Sequence, residues 1–214
     1  MTVHLFPQTK NIQNEKGNII LYAGIFCWPH HCPKYSVNTC WYRSPFNQSE
    51  DEGRFGKEVN IKDAASKNGV LVMFSCNTCP YVIKNQARTK EIADYAIKNN
   101  IGVIVLNSNE AQRGDADSYK AMQAYAKEQG YNFYYVVDEN AKVADAFGAT
   151  RTPEIFLLDA AGKLVYKGAI DDNPSDANNV KRHHAQEAIA EAVNGKTISI
   201  KESRSVGCSI KRKS

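Results

Sequence analysis

Cys76-Asn77-Thr78-Cys79-Pro80 is the segment whose residue types and spacing are best suited to chemistry. Two thiols separated by two residues let the second attack a mixed disulfide formed at the first, which releases a substrate thiol and closes a local ring. The pair follows an apolar run, Val70-Leu71-Val72-Met73-Phe74, and opens residues 81–98, where Val82, Ile83, Ala87, Ile92, Ala93, Ala96 and Ile97 fall at helical spacing. A cysteine in the first turn of a helix faces unpaired backbone N–H groups and the positive end of the dipole. Both favour the thiolate, which is the nucleophile. The competing readings are half of a zinc site and inert packing of two small apolar thiols. A structural zinc site takes four ligands, and the chain has no second C-x-x-C.

The elements that position the pair alternate. Residues 70–74 read as a strand buried on both faces, 81–98 as a helix, 101–106 as a second buried strand, and 115–129 as a helix carrying Tyr119, Met122 and Ala126 inward. Residues 133–137 then read as a strand and 141–147 as a short helix closed by Gly148. Ile155 to Leu158 and Leu164 to Tyr166 flank Asp159-Ala160-Ala161-Gly162-Lys163, the pattern of an antiparallel hairpin, and residues 181–193 form a last helix. Parallel strands joined by helical crossovers and finished by a hairpin and a helix predict an α/β sandwich with a mixed central sheet flanked by helices.

Other residues compete for a role. Thr152-Pro153 stands at the entry of the hairpin, where a proline belongs at a strand start, an edge or a tight turn. Cys208 lies in the tail and is a candidate resolving or relay thiol. Cys27, His30, His31, Cys32 and Cys40 gather within fourteen residues, but their spacing matches no standard zinc site, and no metal or cofactor is expected. Asp171-Asp172 precedes Asn173-Pro174 and reads as a turn.

The chain has 214 residues, 43% hydrophobic and 23% charged, enough for one domain with a proper core. Its net charge of +4 sits entirely in residues 201–214, where Lys201, Arg204, Lys211, Arg212 and Lys213 outnumber Glu202. The body is neutral and lacks a basic face with interleaved aromatics, so nucleic acid is not an expected partner; the tail reads as a solvated end. No apolar run reaches the roughly 18 residues of a membrane span. Lys10 and Lys16 precede an apolar stretch of signal-like length, but no cleavage site follows, and a cytoplasmic location is favoured over export.

Taken together, these residues resemble the thioredoxin superfamily. Val72-Met73-Phe74-Ser75-Cys76-Asn77-Thr78-Cys79-Pro80-Tyr81 is similar to the peroxiredoxin-like redoxins related to alkyl hydroperoxide reductase. Further matches follow in order: Gly148-Ala149 with Thr152-Pro153, Phe156-Leu157-Leu158-Asp159, Gly168-Ala169-Ile170-Asp171-Asp172, and Gly207-Cys208-Ser209-Ile210-Lys211. The resemblance spans residues 54–214. It implies a thioredoxin-like three-layer sandwich over residues 54–200, an atypical extension at 1–53 and a Cys-containing tail at 201–214. It implies Cys76 as attacking thiol, Cys79 as its partner, and Pro153 as a cis-proline facing them and shaping a docking surface for extended peptides.

The chain departs from the pattern at Ser75 and at Asn77-Thr78, where thioredoxins proper have Trp and Gly-Pro. Met73 stands three residues before Cys76, where peroxiredoxins place a threonine. The expected activity is thiol–disulfide exchange with protein or small-molecule disulfides and an external electron donor. Peroxide reduction and a non-enzymatic binding module are the alternatives.

Overall fold

The computed structural model describes residues 59–213, and everything below concerns those residues. A short helix α1 (Ile61–Ala64) leads to β1 (Val70–Ser75), α2 (Pro80–Lys84), α3 (Gln86–Lys98) and β2 (Gly102–Asn107). Then come α4 (Tyr119–Glu128), β3 (Tyr134–Val137), α5 (Lys142–Phe147), β4 (Arg151–Thr152), β5 (Glu154–Leu158), β6 (Leu164–Gly168), α6 (His184–Val193) and β7 (Cys208–Ser209). Five strands form one sheet in the order β3-β2-β1-β5-β6. β1 runs parallel to β2, and β2 to β3; β5 is antiparallel to both β1 and β6. This is a mixed sheet of the thioredoxin-like kind.

The sheet is covered on both faces, which is why its central strands are continuously apolar. Leu71 and Met73 of β1 pack with Ile92, Ala93, Met122, Ala126 and Ile189 from α3, α4 and α6. Val70, Val72 and Phe74 face the opposite way and pack with Ala64, Val143, Ala144 and Ile210. The three layers put the carboxyl ends of the parallel strands, and the loop after β1, along one edge of the sandwich.

Three expectations need correction. The helix expected over 81–98 is two helices, broken at Asn85, whose side-chain amide donates to the Tyr81 carbonyl (2.7 Å) and the Pro174 carbonyl (3.1 Å). Ile83 in α2 and Ile97 in α3 are exposed. The helix expected from 115 starts at Tyr119, because the Ser118 hydroxyl caps it by accepting from Ala121 N–H. Residues before it form turns that send the Asp117 side chain inward.

Asp171 is the third correction, because it does more than shape a turn. It is 2% exposed and its Oδ2 lies 2.6 Å from Arg88 Nη1, with Arg88 donating also to the carbonyls of Asn173 and Pro174. The pair ties α3 to the loop after β6. Removing one partner of a buried ion pair strands the other charge without water. Asp171→Ala should cost about 3–5 kcal/mol in urea unfolding, and Arg88→Met with Asp171→Leu should recover most of that loss. A cost below about 1 kcal/mol would contradict the pair's burial.

Candidate active site

Cys76 emerges from the buried end of β1, and Cys79 stands immediately before α2. Both are nearly inaccessible, at 1% and 4% exposure. Thr152 approaches both from across the site. Its Oγ1 lies 3.5 Å from Cys76 Sγ, and its carbonyl oxygen accepts from the Cys79 thiol at 3.3 Å. The Thr152–Pro153 peptide bond is cis. The cis bond that the resemblance implies at Pro153 is present, and the residue seen to contact both thiols is the preceding Thr152.

Cys208 joins them. β7 pairs antiparallel with β4, with Arg151 opposite Ser209 and Thr152 opposite Cys208. Cys76, Cys208 and the backbone N–H groups of Val82 and Cys208 all neighbour the Cys79 sulfur and favour its charged form. Cys208 and Tyr81 both pack against the cluster of Cys76, Cys79 and Val82. Cys79 is therefore the middle sulfur of three.

This pairing corrects the expectation of a solvated tail. The Lys211, Arg212 and Lys213 side chains are exposed, but the backbone is docked. Ile210 N–H donates to the Thr150 carbonyl, Lys211 N–H to Asn109 Oδ1 at 2.8 Å, and Arg212 pairs with Asp145 at 2.7 Å. Gly207 passes so close to β4 that an added Cβ would sit 2.1 Å from the Thr152 carbonyl oxygen. Only glycine fits there. The edge of β4, next to the Pro153 expected to shape a docking surface, is taken by the chain's own tail.

A buried polar network holds the motif loop from below. Asn77 N–H donates to Asp117 Oδ1, its side-chain amide to the Ala116 carbonyl, and Tyr135 OH donates to its Oδ1, each at 2.8 Å. Asp117 is fully buried and also accepts from Asn107 (2.8 Å) and Asn109 (2.9 Å). Burial keeps the Tyr135 hydroxyl protonated, well above its ordinary range, so it remains a donor. Sequence reasoning missed Asn77, Asn107, Asn109, Asp117 and Tyr135 as site residues. The available signal was the polar run Asn107-Ser108-Asn109 directly after an apolar parallel strand, the end of the sheet where sites form.

Neighbouring groups shift the two thiols in opposite directions. The Cys79 thiol is pulled down from 9.0 to about 4, first by the Cys76 hydrogen bond and then by Cys208 and the two backbone N–H groups, against the cost of burial. Cys76 moves up, because it is the proton donor to Cys79, is buried, and feels the Asp117 charge. Burial and the neighbouring Cys79 charge also raise Cys208. One carbonyl, that of Thr152, opposes a Cys79 anion; four donors favour it. A five-residue helix has little dipole to offer, so these specific donors do what the sequence assigned to the helix end.

Among the described residues no group of three or more His, Cys, Asp or Glu side chains is arranged to hold a metal, and no helix is long and apolar enough to cross a membrane. Cys27, His30, His31, Cys32 and Cys40 lie outside the described residues.

The sheet order, the C-x-x-C after β1 and the cis Thr152–Pro153 bond, whose Thr152 contacts both thiols, define a thioredoxin-like protein. The redoxin family model matches residues 44–182, and the chain belongs to the redoxin family. It is similar to an uncharacterized conserved protein from Geobacillus kaustophilus, 31% identical, with a TM-score of 0.69 over 80% of this chain and 95% of that one. A thioredoxin-like protein solved in its oxidized form, 14% identical with a TM-score of 0.51 over 73% of this chain and 98% of that one, shares the fold. The chain is 24% identical to the thiol-disulfide oxidoreductase ResA of Bacillus thuringiensis over 51% of its own length, and spans 59% of that relative.

The assignment of charge has a spectroscopic consequence. Acid titration of the reduced protein should remove one thiolate's ultraviolet absorbance as the pH falls through about 4, and Cys79→Ser should lack that step. A first thiolate appearing only as the pH rises toward 9.0 would contradict the hydrogen-bond argument.

Proposed function

We propose that the protein exchanges disulfides through Cys76 and Cys79, with Cys79 as the attacking sulfur. The observation that carries this reading is the packing of the Cys76 and Cys79 thiols together against Thr152 in a site closed to bulk water, where the neighbours of Cys79 favour its thiolate. The attack order reverses the one the family resemblance implies, because Cys79 is the less buried thiol and the Cys76 thiol is pushed up beside it. The likeness to ResA, a protein named as a thiol-disulfide oxidoreductase, supports the reaction class.

The steps balance with no cofactor. Cys79 thiolate attacks one sulfur of a disulfide R–S–S–R, the S–S bond breaks, and one RS⁻ leaves and is protonated. Cys76 loses its proton and attacks Cys79 Sγ, which closes the Cys76–Cys79 disulfide and expels the second RS⁻. Two electrons pass from the dithiol to the substrate, and the reverse sequence oxidises two thiols. The slight exposure of Cys79 and the occupied edge of β4 favour small disulfides over protein strands as substrates.

The same two observations favour one second reading, reduction of a small peroxide. Cys79 thiolate would take one oxygen from ROOH, giving the sulfenic acid and ROH, and a neighbouring thiol would then close a disulfide and release water.

A chain that keeps Cys79 but carries Cys76→Ser and Cys208→Ser isolates the first step. Exposed to oxidised glutathione, it should hold one glutathione on Cys79, located by peptide mass spectrometry. The Cys79→Ser chain should hold none at Cys76 and should lose catalysed reduction of the disulfide. An adduct on Cys76 in the Cys79→Ser chain would restore the opposite attack order. No adduct on either residue, with sulfenic acid forming at Cys79 under hydrogen peroxide, would replace exchange by peroxide reduction.

A further inference from the structure

The tail is anchored on both sides of Cys208, and this carries an inference beyond the exchange pair. Upstream, residues 201–203 cover the edge of β6: Lys167 N–H donates to the Lys201 carbonyl and Ser203 N–H to the Lys167 carbonyl, both at 3.0 Å. The Ser203 hydroxyl meets Tyr166 OH at 2.7 Å and accepts Ala169 N–H at 3.0 Å. Downstream, Ile210 is 5% exposed in the core face of the sheet, and Lys211 and Arg212 are bonded as described above. Between these anchors Gly207 lets the backbone close on Thr152, and Cys208 falls opposite Thr152 in register. Thr152 is the residue whose carbonyl oxygen accepts from Cys79. The fold thus holds a strand of its own where an extended substrate would add, and presents a thiol on that strand to the middle sulfur of the site.

We propose that Cys208 is a third redox sulfur acting on Cys79 and not on Cys76, so that a Cys79–Cys208 disulfide interconverts with the Cys76–Cys79 disulfide. The proposal rests on exchange at Cys79. Its first form is resolution: Cys208 thiolate attacks Cys79 Sγ in the mixed disulfide, Cys79–Cys208 closes, and RS⁻ leaves. Its second form is transfer. Cys208 thiolate attacks Cys79 Sγ in the Cys76–Cys79 disulfide; one S–S bond forms as one breaks, and the proton released from Cys208 ends on Cys76. No electrons enter or leave, so no further reactant is required.

Transfer changes where the oxidation is exposed. Cys76 and Cys79 are buried, whereas Cys208 is partly exposed. An external thiolate can attack Cys208 Sγ and expel Cys79, whose depressed pKa makes it a good leaving group. The inner disulfide has no comparable point of entry. The tail therefore serves as the route by which an external dithiol donor returns electrons to the buried pair.

Trypsin separates the alternatives, because Cys76 and Cys79 fall in residues 68–84 and Cys208 in residues 205–211. Full-length chains are equilibrated in oxidising glutathione buffer, acid-quenched, alkylated and mapped without reduction. Cys76→Ser should carry a 68–84/205–211 crosslink in most chains, and Cys208→Ser an internal 68–84 disulfide. Cys79→Ser should carry neither. Gly207→Ala keeps all three thiols and displaces the strand; its crosslink with a Cys76→Ser background should fall severalfold, while the internal disulfide forms as in wild type. Glutathione on Cys79 beside a free Cys208 in the Cys76→Ser chain would overturn the proposal and leave exchange at Cys79 standing. A Cys76–Cys208 crosslink in Cys79→Ser would overturn the assignment of Cys79 as the shared sulfur. A wild-type chain that closes no disulfide at all would remove the underlying exchange reading as well.

Discussion

A thiol pair buried as Cys76 and Cys79 are can carry a charge only where neighbouring groups replace the water it has lost. The arrangement around Cys79 meets that constraint, and most of the surrounding structure can be read as the means of meeting it. Val82 N–H comes from the first turn of α2, Cys208 N–H and its thiol come from the tail, and the Cys76 thiol comes from the end of β1. These groups are contributed by segments more than 100 residues apart, and Thr152 is the point where they meet. Its hydroxyl faces Cys76, its carbonyl faces Cys79, and its backbone pairs with Cys208.

The same logic explains why the site is braced by buried polar residues rather than by apolar ones. The loop between the cysteines must present backbone and thiol groups in fixed directions, and each polar group it buries must find a partner. Asn77 spends its N–H, amide and carbonyl oxygen on Asp117, Ala116 and Tyr135. Asp117 passes the connection through Asn109 to Lys211 N–H in the tail. One chain of hydrogen bonds thus fixes both the C-x-x-C loop and the strand that carries Cys208. A change at Asp117 is felt at both ends, and its negative charge also holds the proton on Cys76.

The parts of this legible in the sequence are those set by burial on two faces. β1, β2 and β5 are read directly from continuous apolar runs, because a strand covered on both sides has no polar period to obscure it. Cys76 and Cys79 stand out as a candidate pair from the strand–motif–helix order, whereas Thr152-Pro153 reads from spacing alone equally well as an ordinary strand start, and only the family resemblance sets Pro153 against the pair. What the sequence hid depends on backbone contacts and long-range pairing. Lys211, Arg212 and Lys213 advertise a solvated end, and they are indeed exposed; the backbone that carries them is docked all the same. Asp117 looks like an ordinary acid at a helix start, and Asp171 like a turn former. Each finds its partner only after distant segments pack. Asn85 breaks a helix whose periodicity runs through it, because its side chain takes over bonds that the periodicity does not encode.

The central claim is that Cys79 is the sulfur shared by every disulfide the site forms, and its most direct test is quantitative. Full-length protein equilibrated across a series of glutathione potentials, then alkylated, yields the fraction oxidised at each of the three cysteines. The account predicts a single two-electron transition in which the oxidised fraction of Cys79 equals the sum of those of Cys76 and Cys208 at every potential. Oxidation of Cys76 together with Cys208 while Cys79 stays free, or a Cys79 that never oxidises, would contradict it.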